Sequence, residues 1–337
     1  MFFAYNPEET EARVWSVVQP RVQSVERLYT TDMGLAVQAL LEDSCMYHLL
    51  DPNGTVLQTK TYPVDAPQPN GQFPSPQWFR LDEAEHALRL YDQDDRPVRE
   101  IALPQTERQP VAVSPDFGLA LWTDGADKSE LALYDLIGEQ TLRALTTAAL
   151  GYDGWACTWV EFLTDEVARL VLMRNAVNQT LLVRLPDFEA AYAAEGYWNA
   201  QALDGRRILL VPLAGGHSEG AEQGRPARLL TWDGAAYQAV DTDLQGESLA
   251  VRPAPGGRYL LAQETSMGED RTAVSFAVYE TERLQEVWRA TVTVENTQLD
   301  ALRAALSPDG GTIYCVEDTG AICTIQPKTG ASAPGKT

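Results

Sequence analysis

Histidine and cysteine are scarce in this sequence. Three histidines and four cysteines occur among 337 residues, and C-x-x-C, H-x-x-x-H and H-E-x-x-H spacings are all missing. These spacings supply the ligands of many zinc sites and the thiols of disulfide exchange. His48 and His86 fall in predicted strands, which leaves only His217 in a predicted loop. We therefore predict no catalytic residues, no metal site and no cofactor.

Long apolar runs are also missing. No stretch approaches the ~18 consecutive apolar residues that a membrane-spanning helix needs, and the opening MFFAYNPEETEAR reaches acidic side chains before a signal-peptide core could form. We predict no membrane insertion and a cytoplasmic protein. Phe2 and Phe3 keep a second interpretation open, an extracytoplasmic domain excised from a larger membrane protein.

Positive charge is in short supply. Lys and Arg number 26 against 48 Asp and Glu, which gives a formal net charge of −22. A field of this sign repels polyanions and keeps a large surface soluble. The charge balance therefore argues against nucleic acid as a partner and favours a monomer.

Short apolar stretches rich in Val, Leu, Tyr and Trp are abundant, and Asp-Gly, Pro-Asp and Asn-Gly turn signals separate them. This alternation is typical of strands joined by tight turns. A hairpin pattern of apolar strand, polar turn and alternating strand occurs five times, at 47–59, 88–103, 131–145, 227–240 and 275–290, with weaker copies at 181–189 and 320–330.

A second turn carrying Asp or Gly precedes each hairpin, and its spacing predicts the architecture. The clearest pair is VSPDFGLALW at 113–122 and LSPDGGTIYC at 306–315. The intervals between these turns average ~46 residues, close to one four-stranded propeller blade. The seven turns fall at Asp32, Asp82, Asp116, Asp165, Asp204, Gly256 and Asp309.

With its Ser-Pro-Asp-Gly turns followed by apolar strands, the sequence resembles the WD40-like β-propeller repeat proteins. The resemblance covers nearly the whole chain at the level of pattern, although the Trp-Asp dipeptide occurs once, at Trp232 and Asp233. It implies an all-β, seven-bladed β-propeller of four-stranded antiparallel blades. Six or eight blades stay open as alternatives, because the interval from Asp82 to Asp116 is short.

A propeller must also close its last sheet, since an open edge invites aggregation. The last repeat lacks a fourth strand, and residues 12–20 can supply it from the other end of the chain. We therefore expect one domain over 1–330 with 12–20 as the closing strand. We also predict a short helical insertion at 187–200, where Ala-rich sequence follows Pro186, and a flexible tail at 331–337.

The long connections predict the binding face. Loops on a rigid scaffold commonly carry recognition, and aromatic and Arg side chains supply most interface anchors. Trp155 and Trp198 have an alternative role, sealing the ends of the sheets, whereas Trp122, Trp159 and Trp288 are predicted to be core. The candidate contacts are Tyr152, Trp155, Tyr192, Tyr197, Trp198, His217, Glu219, Arg225, Met267 and Arg271.

We therefore expect a non-catalytic scaffold that binds a protein or peptide. One alternative is a propeller enzyme, a hydrolase of lactonase-like type with an acidic, metal-dependent site in the central channel. A second alternative is a small-ligand sensor domain of a larger membrane protein. The turn between Cys315 and Cys323 also predicts that these residues face each other across a hairpin, and it leaves open whether they are bonded.

Overall fold

The computed structural model describes residues 4–5, 10–17, 22–64, 77–82, 85–102, 111–212, 225–244, 249–296, 302–316 and 320–328. The chain forms two compact units, residues 1–74 with 246–337 and residues 75–245. The predicted tail at 331–337 lies outside the described residues, and the single-domain assignment of 1–330 stays a prediction. No helix in the described part is long and apolar enough to span a membrane.

Almost all regular structure in the described residues is β-strand. In chain order the first strands are β1 (Ala4–Tyr5), β2 (Thr10–Val17), β3 (Ser24–Thr31), β4 (Gly34–Leu40), β5 (Ser44–Leu50), β6 (Val56–Pro63), β7 (Gln77–Asp82), β8 (Ala87–Asp92), β9 (Pro97–Ala102), β10 (Val111–Val113), β11 (Leu119–Asp124), β12 (Glu130–Asp135), β13 (Gln140–Thr146) and β14 (Ala156–Phe162). They are followed by β15 (Val167–Arg174), β16 (Val177–Arg184), β17 (Glu189–Glu195), β18 (Trp198–Ala202), β19 (Arg207–Pro212), β20 (Arg228–Trp232), β21 (Tyr237–Asp241), β22 (Ala250–Pro253), β23 (Tyr259–Met267), β24 (Arg271–Glu280), β25 (Gln285–Glu295), β26 (Arg303–Leu306), β27 (Ile313–Val316) and β28 (Ala321–Pro327).

These strands pair into seven antiparallel sheets, which we call blades 1 to 7 in chain order. Blades 1, 3, 4 and 5 are β3–β6, β10–β13, β14–β17 and β18–β21. Blade 2 shows three described strands, β7–β9, and blade 6 consists of β22–β25 with β1 added at its outer edge. Blade 7 is β26–β28 with β2.

In residues 75–245, neighbouring blades pack face to face through aliphatic side chains. Leu121 and Leu131 of blade 3 meet Leu170 and Leu181 of blade 4 in one buried cluster. Further clusters join blade 2 to blade 3 and blade 4 to blade 5. Fourth strands such as β13 are largely exposed, whereas the inner strands are buried. The core therefore lies between the sheets, as expected when each sheet is apolar on both faces.

The other unit contains the predicted closing strand. β2 pairs with β28, and the register places Val14 opposite Cys323 and Val17 opposite Ala321. β2 thus completes blade 7 and confirms the prediction of an N-terminal closing strand, while residues 18–20 of the predicted range lie outside the described residues. Blade 7 also packs on blade 1, where the Thr30 hydroxyl donates to the Leu306 carbonyl at 2.6 Å.

The two Ser-Pro-Asp turns have the same geometry, as their sequences predict. In blade 3 the Ser114 hydroxyl donates to Asp116 Oδ1 at 2.6 Å and accepts the Leu119 amide at 2.8 Å. In blade 7 Ser307 makes the equivalent bonds with Asp309 and Thr312, at 2.6 and 2.9 Å. In each turn the serine hydroxyl accepts the hydrogen bond of a backbone amide, in place of the backbone carbonyl that a regular strand would offer.

Asp82 ends β7 and does not lie in the first turn of its blade, where the spacing predicts it. In the last hairpin of blade 1, Asp51 Oδ1 accepts the amides two and four residues further on. Asp92, between β8 and β9, accepts the amides at the same two offsets. β8 and β9 therefore correspond to the third and fourth strands of a blade, and Asp82 follows its second strand. This explains the short interval from Asp82 to Asp116.

The predicted helix at 187–200 is wrong. Residues 189–195 form β17, the fourth strand of blade 4, and β18 begins at Trp198. Ala191 and Ala194 are buried against blade 5, while the alanines at 190 and 193 are exposed. Small side chains allow close packing of the two blades here, so tertiary contacts override the helical propensity of the alanines.

Two further predictions concern single side chains. Cys315 and Cys323 are direct partners across β27 and β28, as predicted, and both side chains are buried. Trp122 and Trp288 are buried as expected, but Trp159 is 46% exposed on β14. The prediction of Trp159 as core is wrong, because a strand position alone does not determine which face is covered.

Candidate functional site

In residues 75–245, the chain passes between second and third strands, and from blade to blade, at one end of the sheets. We call this the connection end, and it includes residues 125–129, 147–155, 175–176 and 196–197. The first and last hairpins of each blade turn at the other end, the turn end. Antiparallel order within each blade enforces this separation.

The loop between blades 3 and 4 is held by its own hydrogen bonds. A 3₁₀ turn, Thr147–Leu150, ends at Gly151 with φ of 88°. The Thr147 hydroxyl donates to the Trp155 carbonyl at 2.8 Å, and the Tyr152 amide donates to the Thr147 carbonyl at 2.9 Å. The loop is therefore fixed in shape before any partner binds.

Two predicted contacts, Tyr152 and Trp155, come together in this loop. Their rings meet edge to face with centroids 5.7 Å apart. The Arg174 guanidinium lies 5.3 Å from the Trp155 ring centroid and donates to the Asp153 carbonyl at 3.1 Å. Both aromatic side chains are half-buried on the core between blades 3 and 4, and burial raises the pKa of Tyr152. We call Tyr152, Trp155 and Arg174 the loop cluster.

The turn between β15 and β16 lies next to the loop cluster, and Val177 is the cross-strand partner of Arg174. Met173 and Val177 are exposed on either side of Asn175 and Ala176, both of which have positive φ. Such a two-residue turn holds the ends of β15 and β16 close together. Sequence reasoning missed Arg174, Met173 and Val177, because they lie in strands whose ends the sequence does not mark.

Tyr197 lies at the next connection, half-buried, with the Arg169 guanidinium 5.8 Å from its ring. Arg169 is itself buried. It donates to the Trp198 carbonyl at 2.5 Å and pairs with Glu161 at 2.7 Å. Arg169 thereby joins blade 4 to the first strand of blade 5, and this ion pair fixes the connection that carries Tyr197.

The structure corrects two of the aromatic candidates. Trp198 is only 2% exposed and packs in the core between blades 4 and 5, with Arg228 4.9 Å from its ring. It seals the sheets and cannot be a surface contact in this conformation. Tyr192 is half-buried within β17, where its hydroxyl accepts from Arg228 at 3.3 Å. It belongs to the flank of the blade and not to a loop.

The remaining described candidates belong to other elements of the fold. Met267 is 73% exposed at the tip of the β23–β24 hairpin, and Arg271 begins β24 beside it. Arg225 is half-buried ahead of β20. His217 and Glu219 lie outside the described residues.

Within the described ranges, no group of three His, Cys, Asp or Glu side chains could hold a metal ion. The four cysteines are buried, and burial raises the pKa of Cys157 to about 12. A thiol of such high pKa is a poor nucleophile at neutral pH.

The sequence also contains two patterns that match known catalytic or phosphate-binding motifs. Residues 216–220 read G-H-S-E-G, the spacing of a nucleophile elbow, and residues 330–337 match the phosphate-loop spelling G-x-x-x-x-G-K-T. Each motif requires a strand before it and a helix after it. Residues 216–220 stand between two strands, β19 and β20. Both stretches lie outside the described residues.

No protein-family model matches the chain, and no curated protein is similar to it in sequence. Among solved structures, the Pan2 WD40 domain of Neurospora crassa aligns with a TM-score of 0.54 at 7% identity, over 96% of this chain and 97% of that one. Hydrazine synthase of Kuenenia stuttgartiensis aligns with a TM-score of 0.52 at 12% identity, over 94% and 98%. At these identities the similarity concerns the fold alone. The chain has the fold of a WD40-like, seven-bladed β-propeller.

Proposed function

We propose that the protein is a non-catalytic scaffold that binds a protein or peptide partner at the connection end of residues 75–245. The loop cluster carries the proposal. It presents two aromatic rings and a guanidinium on a loop that internal hydrogen bonds already hold. WD40-like propellers commonly mediate protein interactions, which agrees with this assignment.

The composition of the loop cluster suits an interface anchor. Trp, Tyr and Arg dominate the binding energy of protein interfaces, where a few central residues contribute most of it. Trp155 and Tyr152 are half-buried, so each ring has one face on the core and surface left for a partner. Val177, the cross-strand partner of Arg174, extends this surface with exposed apolar area.

The hydrogen bonds of the loop lower the cost of binding. Ordering a mobile side chain at an interface costs about 0.5–1.5 kcal/mol. In this loop the Thr147 hydroxyl and the Arg174 guanidinium already hold the backbone of residues 153 and 155. Little further ordering is needed when a partner binds, so contacts with Trp155 convert into affinity.

The test is quantitative capture. The immobilised protein is incubated with lysate of its native cell, and bound proteins are quantified by mass spectrometry. We expect Trp155→Ala to reduce at least one captured protein by about tenfold, the loss expected for one anchor residue. Ile137→Ala, an exposed aliphatic at the turn end, is the control and should change nothing.

A captured protein must then be purified and its affinity measured by calorimetry. We expect Arg174→Ala to weaken its binding in the same direction as Trp155→Ala. If the captured proteins and their amounts are the same for the wild type and both loop-cluster variants, the proposal is wrong.

A further inference from the structure

A small cavity lies between blades 1 and 7, at the end of the sheets opposite to their blade-to-blade connections. It has a volume of about 90 Å³. Since one water needs about 10–15 Å³ measured in this way, the cavity has room for a branched aliphatic side chain. Its walls come from the first and last turns of blade 1 and from the first turn and second strand of blade 7.

The walls of the cavity are mainly apolar. Met33 and Pro52 come from blade 1, and Pro308 and Tyr314 come from blade 7. Met33 is 60% exposed, and the two prolines are exposed as well. Four apolar groups from three turns and a strand thus converge on one opening, which is unlike the scattered single apolar residues of an ordinary surface.

Hydrogen bonds fix the turns that form these walls. The Thr31 hydroxyl donates to the Gly34 carbonyl at 3.1 Å and accepts the Met33 amide at 3.2 Å. Thr30 ties the first strand of blade 1 to the Leu306 carbonyl of blade 7. The cavity is therefore part of the fixed structure of this unit.

Three aspartates lie in or next to the turns that form the cavity. Asp32 lines the cavity, while Asp51 and Asp309 directly adjoin its two prolines. Hydrogen bonds from the turns lower the pKa of Asp51 and Asp309, so both are ionised at neutral pH. Among the residues that the structure describes, no lysine, arginine or histidine lines the cavity. An apolar cavity with an anionic border selects against acidic segments and favours basic ones.

We propose that this cavity binds one aliphatic side chain of a basic peptide segment in a partner protein. Lys or Arg residues on either side of that side chain meet Asp32, Asp51 and Asp309. The site is independent of the loop cluster, because it uses other residues and lies in the other compact unit. It gives the scaffold a second docking surface with a stated preference in charge.

The test uses three fluorescein-labelled peptides and fluorescence anisotropy. The first is Gly-Lys-Lys-Leu-Lys-Lys-Gly, the second has Gly in place of the central Leu, and the third has Glu in place of every Lys. We expect the Leu peptide to bind about tenfold tighter than the Gly peptide, because the cavity buries the side chain. The Glu peptide should not bind, and 0.5 M NaCl should weaken binding of the Leu peptide because salt screens the charges.

Variants locate the site on the protein. Met33→Ser should lower the affinity for the Leu peptide about fivefold and leave the affinity for the Gly peptide unchanged. Asp32→Asn should lower the affinity for both peptides, since it removes a charge. Met267→Ser and Glu269→Gln are the matched controls, because both residues are exposed on the distant β23–β24 hairpin. A peptide with photo-leucine at its centre should crosslink to residues 30–35, 52 or 308–314.

Several results would overturn the proposal. Equal affinity for the Leu and Gly peptides would reduce the effect to non-specific charge attraction. If the protein self-associates and Met33→Ser abolishes this self-association, the cavity binds a second copy of the chain. Tighter peptide binding after truncation at Lys328 would assign it to the chain's own last residues. Loss of capture by Trp155→Ala bears on the loop cluster alone, so the two proposals fail separately.

Discussion

Single side chains determine where the blades reverse direction. In both Ser-Pro-Asp turns the serine hydroxyl lies between an aspartate and a backbone amide, and it satisfies both. The aspartates also accept amides two residues further on, from Gly118 and Gly311. These bonds favour the ionised carboxylate, and they lower the pKa of Asp116 and Asp309.

The lowered pKa values predict how stability depends on pH. A carboxyl whose pKa is lower in the folded state contributes stability above its unfolded pKa, near 4, and loses it as the pH falls through the folded pKa. We expect the free energy of unfolding, measured with urea, to decrease below about pH 4. The double variant Asp116→Asn and Asp309→Asn should show a shallower decrease, whereas Asp270→Asn, an exposed control, should follow the wild type.

A further prediction for a single residue concerns the effect of replacing Gly34 on stability. Its φ is +147°, and a Cβ atom would lie 2.0 Å from the Leu50 carbonyl oxygen. Gly34→Ala must therefore move backbone, and we expect a loss of about 3 kcal/mol in urea unfolding. Gly205→Ala is the matched control, because Gly205 lies in the corresponding turn of blade 5 with no atom within 4 Å of the new methyl group. Equal stability of the two variants would refute this account of Gly34.

At the scale of elements, β17 and β18 show where local sequence is insufficient. The alanines at 190–194 favour a helix when they are read alone. In the structure a register shift at Leu182 and Val183 accommodates β17 beside β16, and Ala191 and Ala194 pack against blade 5. Some of these partners, such as Leu210 and Leu230, come from strands later in the chain, so the sequence of 187–200 alone does not show them.

Two tryptophans near blade 4 should respond differently to truncation. Trp198 is buried in the core, so we expect Trp198→Ala to cost about 3–5 kcal/mol of unfolding free energy. Trp155 is half-buried in a loop, and Trp155→Ala should cost about 1 kcal/mol. Circular dichroism in urea measures both losses without relying on tryptophan fluorescence. Similar losses for the two variants would contradict the assignment of Trp198 to the core and Trp155 to the surface.

The sequence predicts turns better than it predicts surfaces. The hydrogen bonds that shape the turns of Ser114, Asp116, Ser307 and Asp309 join residues at most five positions apart, so sequence neighbours specify each turn. Arg174 contacts a loop about twenty residues away, and its role depends on how β15 pairs. The fold class, the closing strand and two members of the loop cluster, Tyr152 and Trp155, were therefore predictable from the sequence, whereas Arg174 was not.

At the scale of the whole molecule, the pairing of β2 with β28 joins segments from opposite ends of the sequence. Hydrogen–deuterium exchange can measure this pairing. Residues 10–17 occupy the same outer position in blade 7 that residues 140–146 occupy in blade 3. We expect both segments to exchange with similar protection in mass spectrometry. Exchange of residues 10–17 within seconds, with 140–146 still protected, would show that β2 is not paired in solution.

The same pairing determines the order of events during synthesis. Thr10 pairs with Pro327, so a ribosome working at about 5–20 residues per second finishes the partner strand roughly 15–60 s after the first one. Throughout that delay β2 has no native neighbour in the seventh sheet, and its unpaired edge is open to other nascent chains. Chaperone dependence during translation should therefore be concentrated in β2 until β28 has been synthesised.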